Sequence, residues 1–155
     1  MEDKVYELLN KLKIEYEVFN HEPLYTVAES EKVDIPLKGI GCKTLFLKDR
    51  DMNFYLYVLE GKKRANLKEI SNNIGCTRFT FGNEEELYNQ VKVHPGSVSP
   101  LGIINNEGNI ILLIDNQLIG NFIVVHPNKN TSSISIDVKD LIEVANYCGN
   151  KYLIV

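Results

Sequence analysis

Apolar positions along the chain recur at helical spacing first, then mostly at strand spacing. Val5, Leu8, Leu9 and Leu12 fall on one face of a helical period, which predicts an amphipathic helix over 3–13. "YEVFNHEP" then alternates as a strand and stops at Pro23. "TVAESEKV" reads as a short helix with Thr26 as N-cap and Glu29 completing a capping box. "IPLKGIG" reads as a loop, and "KTLFLKD" and "NFYLYVLEG" as a hairpin around "DRDMN". "NLKEISNNIG" is a helix ending at Gly75. "TRFTF" is a short strand, and "NEEELYNQV" a helix capped by Asn83 with acids in its first turn. "HPGSVSPLGIIN" is a loop leading into a strand. "NIILLID" and "NFIVVH" are strands joined by the turn-like "NQLIGN". "SISI" is a strand, "DVKDLIEVANYC" a helix and "KYLIV" a final strand. With no linker, repeat or dinucleotide-binding glycine motif, the expectation is a single α/β domain over 1–155. Its mixed sheet is expected to curl toward a barrel, with helices flanking it.

Composition narrows the classes. The chain is 44% hydrophobic and 25% charged, ordinary for a globular domain. No apolar run approaches the roughly 20 residues of a membrane span, and the mixed-charge N-terminus does not read as a signal peptide. The expected location is the cytoplasm, with no membrane partner. Cys42, Cys76 and Cys148 are far apart, which argues against a disulfide framework. His21, His94 and His126 are scattered too, so neither a metal nor another cofactor is expected. The net charge of −4 argues against a general nucleic-acid coat and against DNA as a partner. It leaves room for a local basic patch, and "GKKRANLK" supplies Lys62, Lys63, Arg64 and Lys68. These four can line one rim with Lys43 and contact phosphates; the alternative is a solvated turn.

Three segments carry candidate chemistry. In "GIGCKTLFLKD", Lys43 starts a strand directly after a glycine-rich loop. Its ammonium either meets an anionic or carbonyl partner or snorkels into water. In "HPGSVSPLG", Gly96 permits close backbone approach while Pro95 and Pro100 stiffen the ends. Successive N–H groups there can converge on an oxyanion, or the loop is a rigid connector. In "NFIVVHPNKNTSSISI", His126 ends a strand, and Asn130, Thr131, Ser132 and Ser133 crowd the gap before the next. His126 can act as a base, an oxyanion donor or a hydrogen-bonded structural group. The four polar residues can serve a sugar hydroxyl or cap their own turn. His21 and His94 lack such a setting and serve as comparisons.

In their order and spacing, the lysine before "LFL", then "PGSVSPLG", then "VHPNKNTSSISI" before a helix and a terminal strand resemble the bacterial prolyl-tRNA editing proteins. These are free-standing relatives of an editing domain inserted in some prolyl-tRNA synthetases. The resemblance runs from "NHEPLYTVAE" to "NKYLIV", and the "K-x-LFL" strand is closer to the alanyl-tRNA(Pro) deacylase branch than to the cysteinyl branch. It implies a curled α/β domain of the YbaK type, associated with aminoacyl-tRNA synthetases, with one ligand cleft. It also implies hydrolysis of the ester of mischarged tRNA(Pro), with prolyl-tRNA synthetase as a candidate partner. Lys43 matches the lysine at the cleft mouth, and Gly96, Ser97, Val98, Ser99 and Pro100 match the loop facing the ester. His126 matches the histidine on the opposite wall. Where the family usually has asparagine after the lysine, this chain has Thr44, whose hydroxyl reaches less far than a carboxamide. Thr44, Pro100, Asn130 and Thr131 are the expected substrate-binding residues.

No Ser-His-Asp or Cys-His motif is evident, so the expected route is direct attack by water, with backbone N–H groups of Gly96–Ser99 stabilising the oxyanion. A substrate hydroxyl can orient that water, as the resemblance implies. Two other readings stay open: a module that binds aminoacyl-tRNA or a small ligand without hydrolysing it, and a thiol hydrolase built on Cys42, its pKa lowered by Lys43.

Overall fold

A computed structural model describes residues 2–24 and 34–155 of the chain. The expected helix "TVAESEKV", with Thr26 and Glu29, lies outside the described residues.

The helices follow from periodicity and caps. Helix α1, Glu2–Lys11, turns Val5 and Leu9 fully into the core. Helix α2, Leu67–Ile74, starts where Asn66 accepts the Glu69 N–H and stops at left-handed Gly75. Helix α3, Glu84–Val91, carries the capping box between Asn83 and Glu86. Helix α4, Val138–Cys148, is capped by Asp137 and ends at left-handed Gly149. The loop expected after Pro100 is instead a 3₁₀ helix, Pro100–Asn105, opened by Ser99.

Eight strands form one mixed sheet: β1 Glu17–Asn20, β2 Ile40–Lys48, β3 Phe54–Glu60, β4 Thr80–Phe81, β5 Ile111–Ile114, β6 Phe122–Val125, β7 Ser132–Asp137 and β8 Tyr152–Ile154. Their order is β1-β7-β6-β2-β3-β5-β8, with β4 lying off this path against β2. The β2–β6, β3–β5 and β5–β8 pairs are parallel and the others antiparallel. Apolar side chains cover both faces. Helices α1, α3 and α4 pack with Phe46, Leu56, Val58 and Ile123 in one cluster. Helix α2 and Phe79 close a smaller cluster over Leu47, Tyr55, Tyr57 and Leu59. Each leucine buried this way contributes about 1.5–3 kcal/mol.

Two boundaries differ from the expectation, and both shape the site. Ile40 and Gly41, read as loop, are the start of β2 and pair with Ile123 and Val124. Ser132, read as part of a polar gap before the strand "SISI", is a buried member of β7.

Part of one edge of β2 has no strand beside it among the described residues. Strand β3 pairs with β2 from Cys42 to Lys48 on one side. On the other side β6 meets only Ile40 and Gly41, and β4 only Leu47 and Lys48. Among the described residues, no strand covers Cys42–Phe46 on that edge. The Phe46 carbonyl there accepts the Gly82 N–H at 3.0 Å. By strand alternation Thr44 turns its own N–H and carbonyl to the same edge.

Candidate active site

That opening in the sheet is a cleft with two lobes. Gly39, Ile40, Glu60, Lys62, Val125 and Ser133 line the first. Lys43, Thr44, Phe81, Leu87, Gly96 and Val98 line the second. Leu24, Cys42 and His126 border both. Consecutive residues of β2 line the second lobe because the cleft meets the strand edge-on.

His126 follows directly after β6, half-buried at the junction of the lobes. Its Nδ1 lies 3.0 Å from the Ser132 carbonyl oxygen, which can only accept, so Nδ1 carries the proton. In the neutral ring Nε2 is then an acceptor. Burial, opposed by that hydrogen bond but helped by nearby His21, lowers the His126 pKa below its ordinary value of 6.5. The ring is therefore neutral at pH 7, suited to accept a proton or a hydrogen bond.

The facing loop, 95–100, is bent by Gly96 at φ +91°. Ser97 N–H donates to the His94 carbonyl. Among the described residues the N–H groups of Gly96 and Val98 have no partner, and both residues line the second lobe. Ser99 is 1% exposed, and its hydroxyl accepts the Leu101 N–H as a helix cap. Pro100 is buried as the first residue of the 3₁₀ helix. Ser97, Ser99 and Pro100 thus shape the loop, and Gly96 and Val98 face the cleft. Asn128, passed over in the sequence reading, joins the two walls. Left-handed at φ 63°, it donates from Nδ2 to the Leu101 carbonyl at 3.2 Å. Its signal was an asparagine in a turn, a residue that tolerates that conformation.

Asn130 and Thr131 act here through their backbones. Their carbonyls accept the N–H groups of Leu24 and His21. Neither side chain borders the two lobes. Lys43 is half-buried, and among the described residues no carboxylate pairs with it. Of the basic run, Lys62 borders the first lobe, and Arg64 and Lys68 are exposed. Lys63 turns inward, with Nζ 2.6 Å from the Asp115 carboxylate, itself 2% exposed. His21, chosen as a remote comparison, is not remote: its ring centre lies 6.2 Å from that of His126. His94 is exposed and stacks on Tyr88.

The thiol-hydrolase reading fails on electrostatics. Burial, with Glu60 and Asp115 nearby, pushes the Cys42 pKa from 9.0 up to about 12. Its Sγ–H donates to the Ile40 carbonyl. A thiol held protonated at neutral pH is not a nucleophile. Cys42→Ala is therefore expected to keep at least half of the wild-type hydrolytic rate. A rate that collapses in Cys42→Ala with the melting point unchanged would restore the thiol route.

Residues 21–144 match the family model described as the aminoacyl-tRNA editing domain. The chain belongs to this family. The prolyl-tRNA editing protein ProX of Acetoanaerobium sticklandii is 34% identical over 147 residues, 93% of this chain and 90% of that protein. Prolyl-tRNA synthetase associated domain-containing protein 1 of Danio rerio is 28% identical over 140 residues, 88% of this chain and 76% of that protein. Among solved structures, hypothetical protein APE2540 aligns with a TM-score of 0.76 at 21% identity, covering 96% of each chain. A crystal structure provisionally assigned as a trans-editing enzyme for prolyl tRNA synthetase gives 0.74 at 18% identity, covering 98% of this chain and 94% of that one. At such identities the structures establish the editing-domain fold: a mixed α/β sheet with flanking helices. Among the described residues no helix is long and apolar enough to cross a membrane.

Proposed function

We propose that the protein is a deacylase that hydrolyses the aminoacyl ester of mischarged tRNA(Pro), alanyl-tRNA(Pro) foremost. One observation carries the reading: the unprotonated Nε2 of His126 and the unpartnered N–H groups of Gly96 and Val98 border one lobe. Ester hydrolysis needs these two things on either side of a carbonyl, an acceptor for the attacking water and donors for the oxygen that becomes negative. Water held by His126 attacks the carbonyl carbon, and the oxyanion forms against the two N–H groups. The ester C–O bond then breaks, and the leaving ribose oxygen takes up a proton. Lys43 places a positive charge beside this charge build-up, and Thr44 offers a short hydroxyl and free strand-edge groups to the aminoacyl part.

The test is a parallel deacylation assay with alanyl-, cysteinyl-, seryl- and prolyl-tRNA(Pro), with and without exhaustive chelation. Alanyl-tRNA(Pro) is expected to be cleaved fastest, prolyl-tRNA(Pro) to be spared, and chelation to change nothing. Binding without hydrolysis of any ester would make the protein a recognition module instead.

Contact with tRNA is expected to be local. Lys62→Glu with Arg64→Glu should weaken tRNA binding and flatten its salt dependence by about one to two phosphate contacts. Lys63 is excluded from the variant, because a glutamate there would face buried Asp115 and unfold the turn. Unchanged affinity at low salt would place the tRNA on another face.

A further inference from the structure

One pair beside the cleft has no part in this reaction scheme. His21 lies just past β1, and its N–H is tied to the Thr131 carbonyl at 2.9 Å. Its Nδ1 is 2.8 Å from the Glu22 carbonyl oxygen, and its Nε2 is 2.8 Å from Ser133 Oγ. The carbonyl can only accept, so Nδ1 carries the proton and the neutral ring's Nε2 accepts from the Ser133 hydroxyl. The Ser133 proton is thereby turned toward His21. Ser133 is 2% exposed and borders the first lobe beside His126. Its neighbour Ser132 faces the other way and donates to Asn20 at 2.6 Å. The two serines differ accordingly: Ser132 ties two strands together, while Ser133 Oγ keeps its lone pairs beside the cleft.

We infer that His21 is a positioning residue, which fixes the Ser133 hydroxyl so that Oγ accepts a hydrogen bond from a donor on the bound aminoacyl-ribose end. The inference rests on the deacylase reading above. Ser133 Oγ and His126 Nε2 are then two neutral acceptors on one wall, and Glu60 adds a carboxylate to the same lobe. Such a wall suits a hydroxyl or an ammonium, and the cation of the same lobe, Lys62, is left to phosphate. An aminoacylated ribose offers both donors, a free ribose hydroxyl and the α-ammonium.

The probe is 3′-deoxy-3′-alanylamidoadenosine, whose amide cannot be cleaved as the ester is, with binding read by calorimetry. Ser133→Ala should weaken its affinity about tenfold, the size of one hydrogen bond to a buried group. His21→Phe should do the same. His21→Gln, which keeps an acceptor, should restore most of the loss. The double variant Ser133→Ala with His21→Phe should bind no worse than Ser133→Ala alone, since His21 acts through Ser133. A 2′-deoxy probe and a probe with propionyl in place of alanyl identify the donor: the Ser133→Ala effect vanishes with the one that lacks it. Nitrogen NMR of wild-type protein should show His21 protonated at Nδ1 and bare at Nε2. A Ser133→Ala protein that binds every probe as wild type does, or a His21 protonated at Nε2, overturns the inference. A His21→Phe protein that merely melts earlier with unchanged affinity also overturns it and leaves His21 a strand tie. If the deacylase reading itself is wrong, the sign is different: wild type cleaves none of the four aminoacyl-tRNAs, whatever the NMR shows.

Discussion

Lys43→Ala and His126→Ala are each expected to slow deacylation of alanyl-tRNA(Pro) by about 100-fold or more, the scale for a lost general base or charge stabiliser. Both proteins should fold. Lys43 has no carboxylate partner among the described residues, so its truncation strands no buried charge. His126→Ala removes one hydrogen bond to the Ser132 carbonyl, worth about 0.5–1.5 kcal/mol. At about 2–4 °C per kcal/mol for a chain of this size, its melting point should move by only a few degrees. His94→Ala is the proper control, since His94 is exposed and outside the cleft, whereas the His21 ring lies 6.2 Å from that of His126. The pH dependence has a definite sign. The folded-state pKa of His126 is lowered, so the neutral ring persists as pH falls through 6.5 and the rate should hold there, declining only at more acid pH. The unfolded chain takes the proton near 6.5, before the folded one does. This residue therefore contributes a loss of stability as pH drops below that value. A His126→Ala protein with the wild-type rate and a much lower melting point would reduce "VVHPNKNTSS" to a well-tied turn.

What could be read from the chain depended on how far away the deciding partner lies. Helices α2 and α3 were legible to the residue, because Asn66, Gly75, Asn83 and Glu86 act within one turn of what they cap. Ile40 and Gly41 looked like loop because their partner strand is more than 80 residues later and parallel. Ser132 looked like turn because hydroxyls usually face water, yet Asn20, 112 residues away, accepts its proton inside the sheet. Lys43, Gly96, Val98 and His126 were picked out through their family pattern, and the structure brings all four to one lobe. Lys63 and Asp115 show the converse: a run of cations gives no hint that one of them is bound to a buried carboxylate.

Gly39→Ala is expected to destabilise the fold and inactivate the cleft together, although Gly39 is exposed and bonds to no substrate group in the proposed reaction. Its φ of +121° is outside what an L side chain adopts readily, and a Cβ there would sit 2.7 Å from the carbonyl carbon and oxygen of Phe122 and 3.0 Å from the Ile123 nitrogen. These are backbone atoms of β6, so no side chain can rotate away. Overpacking costs about 1–3 kcal/mol, and the backbone conformation adds about 1–2 kcal/mol. The only relief is to move β2 away from β6. That movement separates Lys43, carried on β2, from His126, carried at the end of β6. The melting point should fall by about 5–15 °C, and the remaining folded protein should deacylate poorly. Gly41→Ala is the matched comparison: it stands two residues on, inside β2, and borders the same lobe, but a Cβ there meets nothing within 4 Å. It should melt as wild type does. If Gly39→Ala and Gly41→Ala melt alike, the close approach of β2 to β6 does not hold the two walls of the cleft in place, and the catalytic spacing must be set through the β2–β3 hairpin instead.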